Sequence, residues 1–228
     1  MSQVQQIQAA PANSWKMLQA MVGIGILCAL LIVLTFQGTL ERIENNRAEA
    51  LEKAIFNVIP GISKKKTFMI GADHEIMEVK GDEGAGQLVY AGYDENNKLV
   101  GLAIEAAGMG YADIIRILYG YDPEKQVVFG FNVMETKETP GLGDKIEKDP
   151  RFLANFEALD VSLDEQAQDL NHDVVTVKQG EKENPWEIDG ITGATISSRA
   201  IGNIIRTSTE DLLPVIYNNL DAFEYENQ

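Results

Sequence analysis

The residues best placed to do chemistry lie in the run Asp189-Gly190-Ile191-Thr192-Gly193-Ala194-Thr195, continued by Ile196-Ser197-Ser198-Arg199. Glycines at 190 and 193 cannot hold a regular element, so the first half reads as a tight turn. The residues after it read differently. Ala200, Ile201, Ile204 and Ile205, then Ser208 and Leu212, recur at helical spacing, with Arg199, Arg206, Glu210 and Asp211 between them. Thr195, Ser197 and Ser198 therefore stand at a helix start, where hydroxyls are expected to cap free backbone N–H groups. Such a terminus carries partial positive charge and favours a phosphate. On composition alone, a capped helix after a glycine turn accounts for these residue types.

A second run, Glu138-Thr139-Pro140-Gly141-Leu142-Gly143-Asp144-Lys145, follows directly on a strand-like segment. Locally it is a Pro-Gly turn. Gly141 and Gly143 would also let backbone amides come close to a flat ligand. Other constellations carry less. Gly108-Met109-Gly110 has Asp113 where a dinucleotide fingerprint needs its third glycine, and there is no P-loop. Asp189 and Glu138 could form a hydrolytic carboxylate pair, but nothing in the sequence places them in one cleft. Ser197 with the distant His172 is a poor nucleophile–base arrangement.

The pattern Asp-x-x-Thr-Gly-Ala-Thr, ending on Thr195, resembles the flavinylation motif of the FMN-binding subunits of Rnf and of Na⁺-translocating NADH:quinone reductase. Every motif position is met. The resemblance implies that Thr195 carries FMN through a phosphoester bond, with Asp189, Thr192, Gly193, Ala194 and Ser198 around it. A threonine hydroxyl is too weak an acid to attack a phosphate unaided, so a separate flavin transferase is implied as well. The Glu-Thr-Pro-Gly-Leu-Gly run resembles the same family's second signature. That places Glu138, Thr139, Pro140, Gly141, Leu142, Gly143 and Lys145 beside the flavin ring.

Gly143-Asp144-Lys145-Ile146, and Gly110-Tyr111 before an isoleucine-rich strand, look more like the Rnf G subunit than the quinone-reductase C subunit. The implied role is electron carrier in a membrane-bound, redox-driven ion-translocating complex of the ferredoxin:NAD⁺ oxidoreductase type. Such a chain belongs to an oxidoreductase as one of its subunits, without complete activity alone. Its implied partners are other flavin- and iron–sulfur-carrying subunits. Two alternatives stay open: a component like the quinone-reductase C subunit, and a cofactor-free membrane-tethered scaffold whose turns are purely structural.

Composition bounds these readings. The chain has 228 residues, a formal net charge of −16 and a pI near 4.5, which argues against nucleic acid as a partner. A single cysteine, Cys28, excludes a disulfide framework, a zinc ribbon, an iron–sulfur site and a c-type haem attachment. His74 and His172 are isolated, so a histidine metal site is not expected. Redox chemistry here would need an organic cofactor.

Residues 1–16 read as a polar tail. Residues 17–36 form an uncharged apolar run that at about 1.5 Å rise per residue spans about 30 Å, the hydrocarbon thickness of a bilayer. Trp15 and Lys16 stand where an interfacial anchor would. The run is too long for a cleaved signal and no small-x-small site follows it. Residues 37–61 are expected to be a helical stalk or a separate amphipathic helix, stopping at Pro60-Gly61. Flanking charge gives no orientation, Arg42 and Arg47 being diluted by Glu41 and Glu44. The resemblance implies a single-pass protein of the bacterial inner membrane, its tail cytoplasmic and its domain on the periplasmic side.

Residues 62–228 are expected to form one α+β domain, an antiparallel sheet with segregated helices. Strands at 87–93 and 98–106 flank a turn at 94–97, and strands at 113–121 and 126–134 flank another at 122–125. A short helix is expected at 150–159, a strand at 173–178 and the principal helix at 197–213. Pro214 is expected to interrupt that helix, which resumes over 215–223. Lys64-Lys65-Lys66 reads as a charge run near a turn.

Overall fold

The computed structural model describes residues 14–81 and 86–225. The chain divides between Glu49 and Ala50 into two compact units. Most of the expected tail, residues 1–13, lies outside the described residues.

The first helix, α1, runs unbroken over Ser14–Val58. Its apolar part has a mean hydropathy of 2.6 and is long and apolar enough to cross a bilayer. Side chains such as Met21 and Ile32 are wide open, at 72% and 69% exposure. Thr35 and Thr39 stay compatible with that helix by donating their hydroxyls to Leu31 O and Thr35 O. Ala54, Ile55 and Val58, at the end of α1, are buried within the second unit. Pro60 and Gly61 (φ +85°) follow, and the helix does not continue through them.

The second unit is built on a seven-stranded antiparallel sheet of order β2-β1-β3-β4-β5-β6-β7. Its strands are β1 (Lys64–Ile70), β2 (Ile76–Val79), β3 (Gln87–Tyr93), β4 (Leu99–Met109), β5 (Ile114–Asp122), β6 (Val127–Glu135) and β7 (Leu159–Asp160). The two expected hairpins close on aspartates: Asp94 Oδ1 accepts from Asn96 N and Lys98 N, and Asp122 Oδ1 accepts from Glu124 N and Lys125 N. The β1–β2 hairpin has no clear local signal, because its three lysines mask the pattern. Lys66 pairs with Glu78 at 2.9 Å, Lys64 and Lys66 lie over the Tyr225 ring, and Phe68 and Ile70 point inward.

One face of the sheet is covered by α3 (Thr195–Asn218), the other by the end of α1. Between β6 and α3 come two 3-10 segments (Gly143–Glu147 and Ala154–Glu157), α2 (Pro150–Leu153), and a small parallel pair, β8 (Val175–Val177) with β9 (Glu187–Asp189). Two expectations for α3 are corrected. Pro214 does not interrupt it: burial of Leu213, Val215 and Ile216 against the sheet outweighs the roughly 3 kcal/mol a mid-helix proline costs. The helix also begins at Thr195, so no hydroxyl caps it; the N-cap is Ala194, without a side-chain cap bond.

The helix end reaches the sheet because the strands beneath it have no side chains in the way. A Cβ on Gly130 would stand 2.3 Å from Val58 O, and one on Gly120 2.8 Å from the same atom. Those two glycines pair across β5 and β6. The α1 terminus therefore rests on bare backbone.

Candidate functional site

The turn between β9 and α3 is locked from inside. Ser198, fully buried, accepts from Ile191 N at 3.1 Å and donates to Ala194 O at 2.9 Å. Thr192 N donates to Gln179 Oε1 at 3.0 Å, and Gly193 takes φ +86°, the left-handed region that favours glycine. Asp189 sits at the end of β9: its carboxylate accepts from Gly180 N at 2.6 Å, and its backbone exchanges two bonds with the buried Asn155 amide. Lys182 also donates to Asn155, and partial burial pushes its ammonium below the ordinary lysine value.

The first intrahelical bond of α3 is Ser198 N to Ala194 O, so the amides of Thr195, Ile196 and Ser197 precede it. With no side-chain cap and no acid in the first turn, the positive end of a 24-residue helix is left open. Thr195 is exposed there, while Ser197 (3% exposed) donates to a carboxylate oxygen of Glu138.

The second run lies beside the first. Thr139 O accepts from Leu142 N at 3.1 Å and Gly143 N at 3.0 Å, and Gly141 turns the chain at φ +79°. Asp144 Oδ1 accepts from Gly141 N at 2.7 Å, and its hydrogen bond to the Lys148 ammonium holds its carboxyl below the usual carboxylate range. Glu138 accepts from Tyr111 N at 2.7 Å and Ala112 N at 3.0 Å, which draws in the β4–β5 turn. Next to it, Lys137 on Asp113 lowers that carboxyl as well.

These segments enclose a cavity of about 330 Å³. Of the residues singled out in the sequence, Glu138, Thr139, Leu142, Gly143, Gly193, Ala194 and Thr195 line it. Pro140, Gly141 and Lys145 belong to the same loop without lining it, and Asp189, Thr192 and Ser198 build the turn behind it. Three lining residues have no ligand role on sequence grounds: Tyr111, Ile196 and Ser197. Only Gly110-Tyr111 gives a signal, through its likeness to the Rnf family. The weak pairs dissolve: His172 stacks on Trp186 with ring centroids 3.8 Å apart, and Glu138 and Asp189 have separate partners.

Residues 110–210, which carry most of this cavity, match the FMN-binding domain family. The G subunit of the ion-translocating oxidoreductase complex from Methanosarcina acetivorans is 29% identical over 198 residues, 86% of this chain and 92% of that protein. Its counterpart in Haemophilus influenzae strain KW20 is 30% identical over 185 residues, 81% of this chain and 83% of its own. The chain belongs to this family, the G subunits of ion-translocating oxidoreductase complexes, as the residues around 110 and 143 suggest.

Two crystal structures share the fold. Shewanella oneidensis NqrC superposes with a TM-score of 0.57 at 18% identity, over 75% of this chain and 88% of that one. The C subunit of the Na⁺-translocating NADH-quinone reductase of Parabacteroides distasonis gives 0.56 at 19%, over 82% and 98%.

Proposed function

We propose that the protein is the flavin-bearing electron carrier of a membrane-bound, redox-driven ion-translocating complex of the ferredoxin:NAD⁺ oxidoreductase type, with FMN joined to Thr195 through a phosphoester. The observation that carries this reading is the isolation of Thr195. Of the three hydroxyl residues in the first turn of α3, it alone is exposed, at an uncapped helix start beside the cavity, while Ser197 and Ser198 are engaged inside.

The residues present fit the group. The open amides and positive end of α3 suit a phosphate, and Gly193 and Ala194 leave room for it. Tyr111, Leu142 and Ile196, at 64%, 52% and 56% exposure, offer apolar walls to a flat ring. When bound, FMN supplies the electron transfer, while the protein supplies orientation and electrostatics. Thr195 acts as a tether and moves no proton. Asp189, Thr192 and Ser198 hold the turn that presents it, and the loop carrying Pro140, Gly141 and Lys145 sets the opposite wall.

The weak acidity of a threonine hydroxyl calls for a separate flavin transferase. The partners on this reading are the other flavin- and iron–sulfur-carrying subunits of the complex. Denaturing gels viewed under ultraviolet light test it: protein made with a flavin transferase should fluoresce. A dark band there would exclude the covalent bond, and native protein that is colourless as well would favour the cofactor-free scaffold.

Gly141→Val probes the loop. A Cβ at 141 would meet nothing within 4 Å, so the cost is conformational, about 1–2 kcal/mol for holding a residue other than glycine in the left-handed region. The turn relaxes and Leu142 shifts from the wall. The variant is expected to stay flavinylated by mass but to show a displaced flavin absorbance band and potential; an unchanged spectrum in folded, loaded protein removes the loop from the ring site.

A covalent tether suits a carrier outside the cytoplasm, where lost FMN could not be replaced. We therefore place the domain on the periplasmic side of the inner membrane, with α1 spanning it. A reporter active only after export, fused after Gln228, should work; activity of a cytoplasm-only reporter at that position would reverse the orientation.

A further inference from the structure

The tether on Thr195 leaves the buried carboxylate of Glu138 without an assigned role. That side chain is 5% exposed and yet lines the cavity. One oxygen accepts from Tyr111 N and Ala112 N, the other from the Ser197 hydroxyl. Donors face both oxygens, an arrangement a carboxylate fills as acceptor. All three donors are neutral, and no lysine or arginine pairs with Glu138 among the described residues.

The surroundings are shaped to admit it. A Cβ on Gly110 would stand 2.5 Å from Glu138 Oε1, and one on Gly143 2.5 Å from Oε2 and 2.9 Å from Ser197 Oγ. The β4–β5 turn, the loop after β6 and the first turn of α3 thus converge on one carboxylate, which has no lysine or arginine ion-pair partner among the described residues.

We propose that Glu138 sets the reduction potential of the electron carrier held in this cavity. The inference rests on reading the cavity as the flavin site. An electron added beside a fixed negative charge is disfavoured by Coulomb repulsion, and more strongly where protein replaces water. Glu138 therefore holds the potential below the value a neutral side chain would give, acting through its field.

Glu138→Gln separates charge from shape. The amide oxygen can accept from Tyr111 N and Ala112 N, while the amide nitrogen can donate to a rotated Ser197 hydroxyl. The three-segment junction survives and only the charge goes. Ser197→Ala does the reverse, removing one donor and keeping the charge.

Both variants are made as the full chain with a flavin transferase, checked for folding by circular dichroism and for loading by intact mass, and titrated against redox dyes. Glu138→Gln is expected to remain loaded and to favour reduction about tenfold, which is ~59 mV upward for one electron. Ser197→Ala is expected to stay within about threefold of wild type. A loaded Glu138→Gln protein with an unchanged potential overturns the inference and leaves the FMN reading standing. A Ser197→Ala shift as large as that of Gln also overturns it, because packing would then explain both. Folded but unloaded Glu138→Gln overturns it too, giving the residue a role in loading. If the Gln protein does not fold, Glu138→Asp takes its place: the kept charge predicts a potential within about threefold of wild type, and a tenfold shift contradicts that. Wild-type protein that holds no flavin, covalent or otherwise, removes the cavity reading and this inference together.

Discussion

Replacing Thr195 by valine is expected to abolish the proposed covalent FMN and to leave the domain folded. Valine keeps the branched shape and loses only the hydroxyl that would form the phosphoester. Thr195 is exposed and is not the N-cap, so the stability cost should stay within about 0.5 kcal/mol, the range of ordinary surface substitutions. No flavin should move to the neighbouring hydroxyls. Ser198 is fully buried between Ile191 N and Ala194 O, and Ser197 is 3% exposed and committed to Glu138. On denaturing gels the wild type should fluoresce and the variant should be dark. A fluorescent Val variant would put the tether elsewhere in the chain.

The largest effect on stability is expected at Gly130. Any Cβ there would meet Val58 O at 2.3 Å and Val58 C at 3.0 Å, both backbone atoms of a helix end that cannot rotate away. Gly130→Val must push the α1 terminus off β6 or bend the strand. Overpacking of this kind costs about 3 kcal/mol. For a domain of this size that lowers the melting temperature by roughly 6–12 °C. The same substitution leaves the cavity residues alone, so loaded variant protein should keep its flavin spectrum below the transition. A melting temperature equal to that of wild type would mean that α1 does not rest on this strand.

The parts legible in the sequence share one property: their signal is local. The turn at 189–195 and the loop at 138–143 announce themselves through glycine and hydroxyl spacing, and the aspartates at 94 and 122 mark two hairpins. Local pattern fails where tertiary contact decides. The lysines of β1 hide a strand whose inward residues, Phe68 and Ile70, are outnumbered by charge. Pro214 breaks helices by local rule, yet the buried Leu213 and Ile216 carry α3 past it. Ser197 looks like a cap until Glu138, 59 residues earlier in the chain, binds its hydroxyl. Tyr111 lines the cavity beside that same carboxylate, which binds its amide across 27 residues. Glycine has no such ambiguity at 120 and 130, but what needs those bare positions, the end of α1, comes from far upstream.

The central claim is that this chain carries FMN on Thr195. Intact mass spectrometry of the full-length protein, made with and without a flavin transferase and followed by peptide mapping, tests it most directly. One added FMN is expected only when the transferase is present, mapped to the peptide containing Thr195 and absent from Thr195→Val. An unmodified mass in the presence of an active transferase, or an adduct on any other residue, would contradict it.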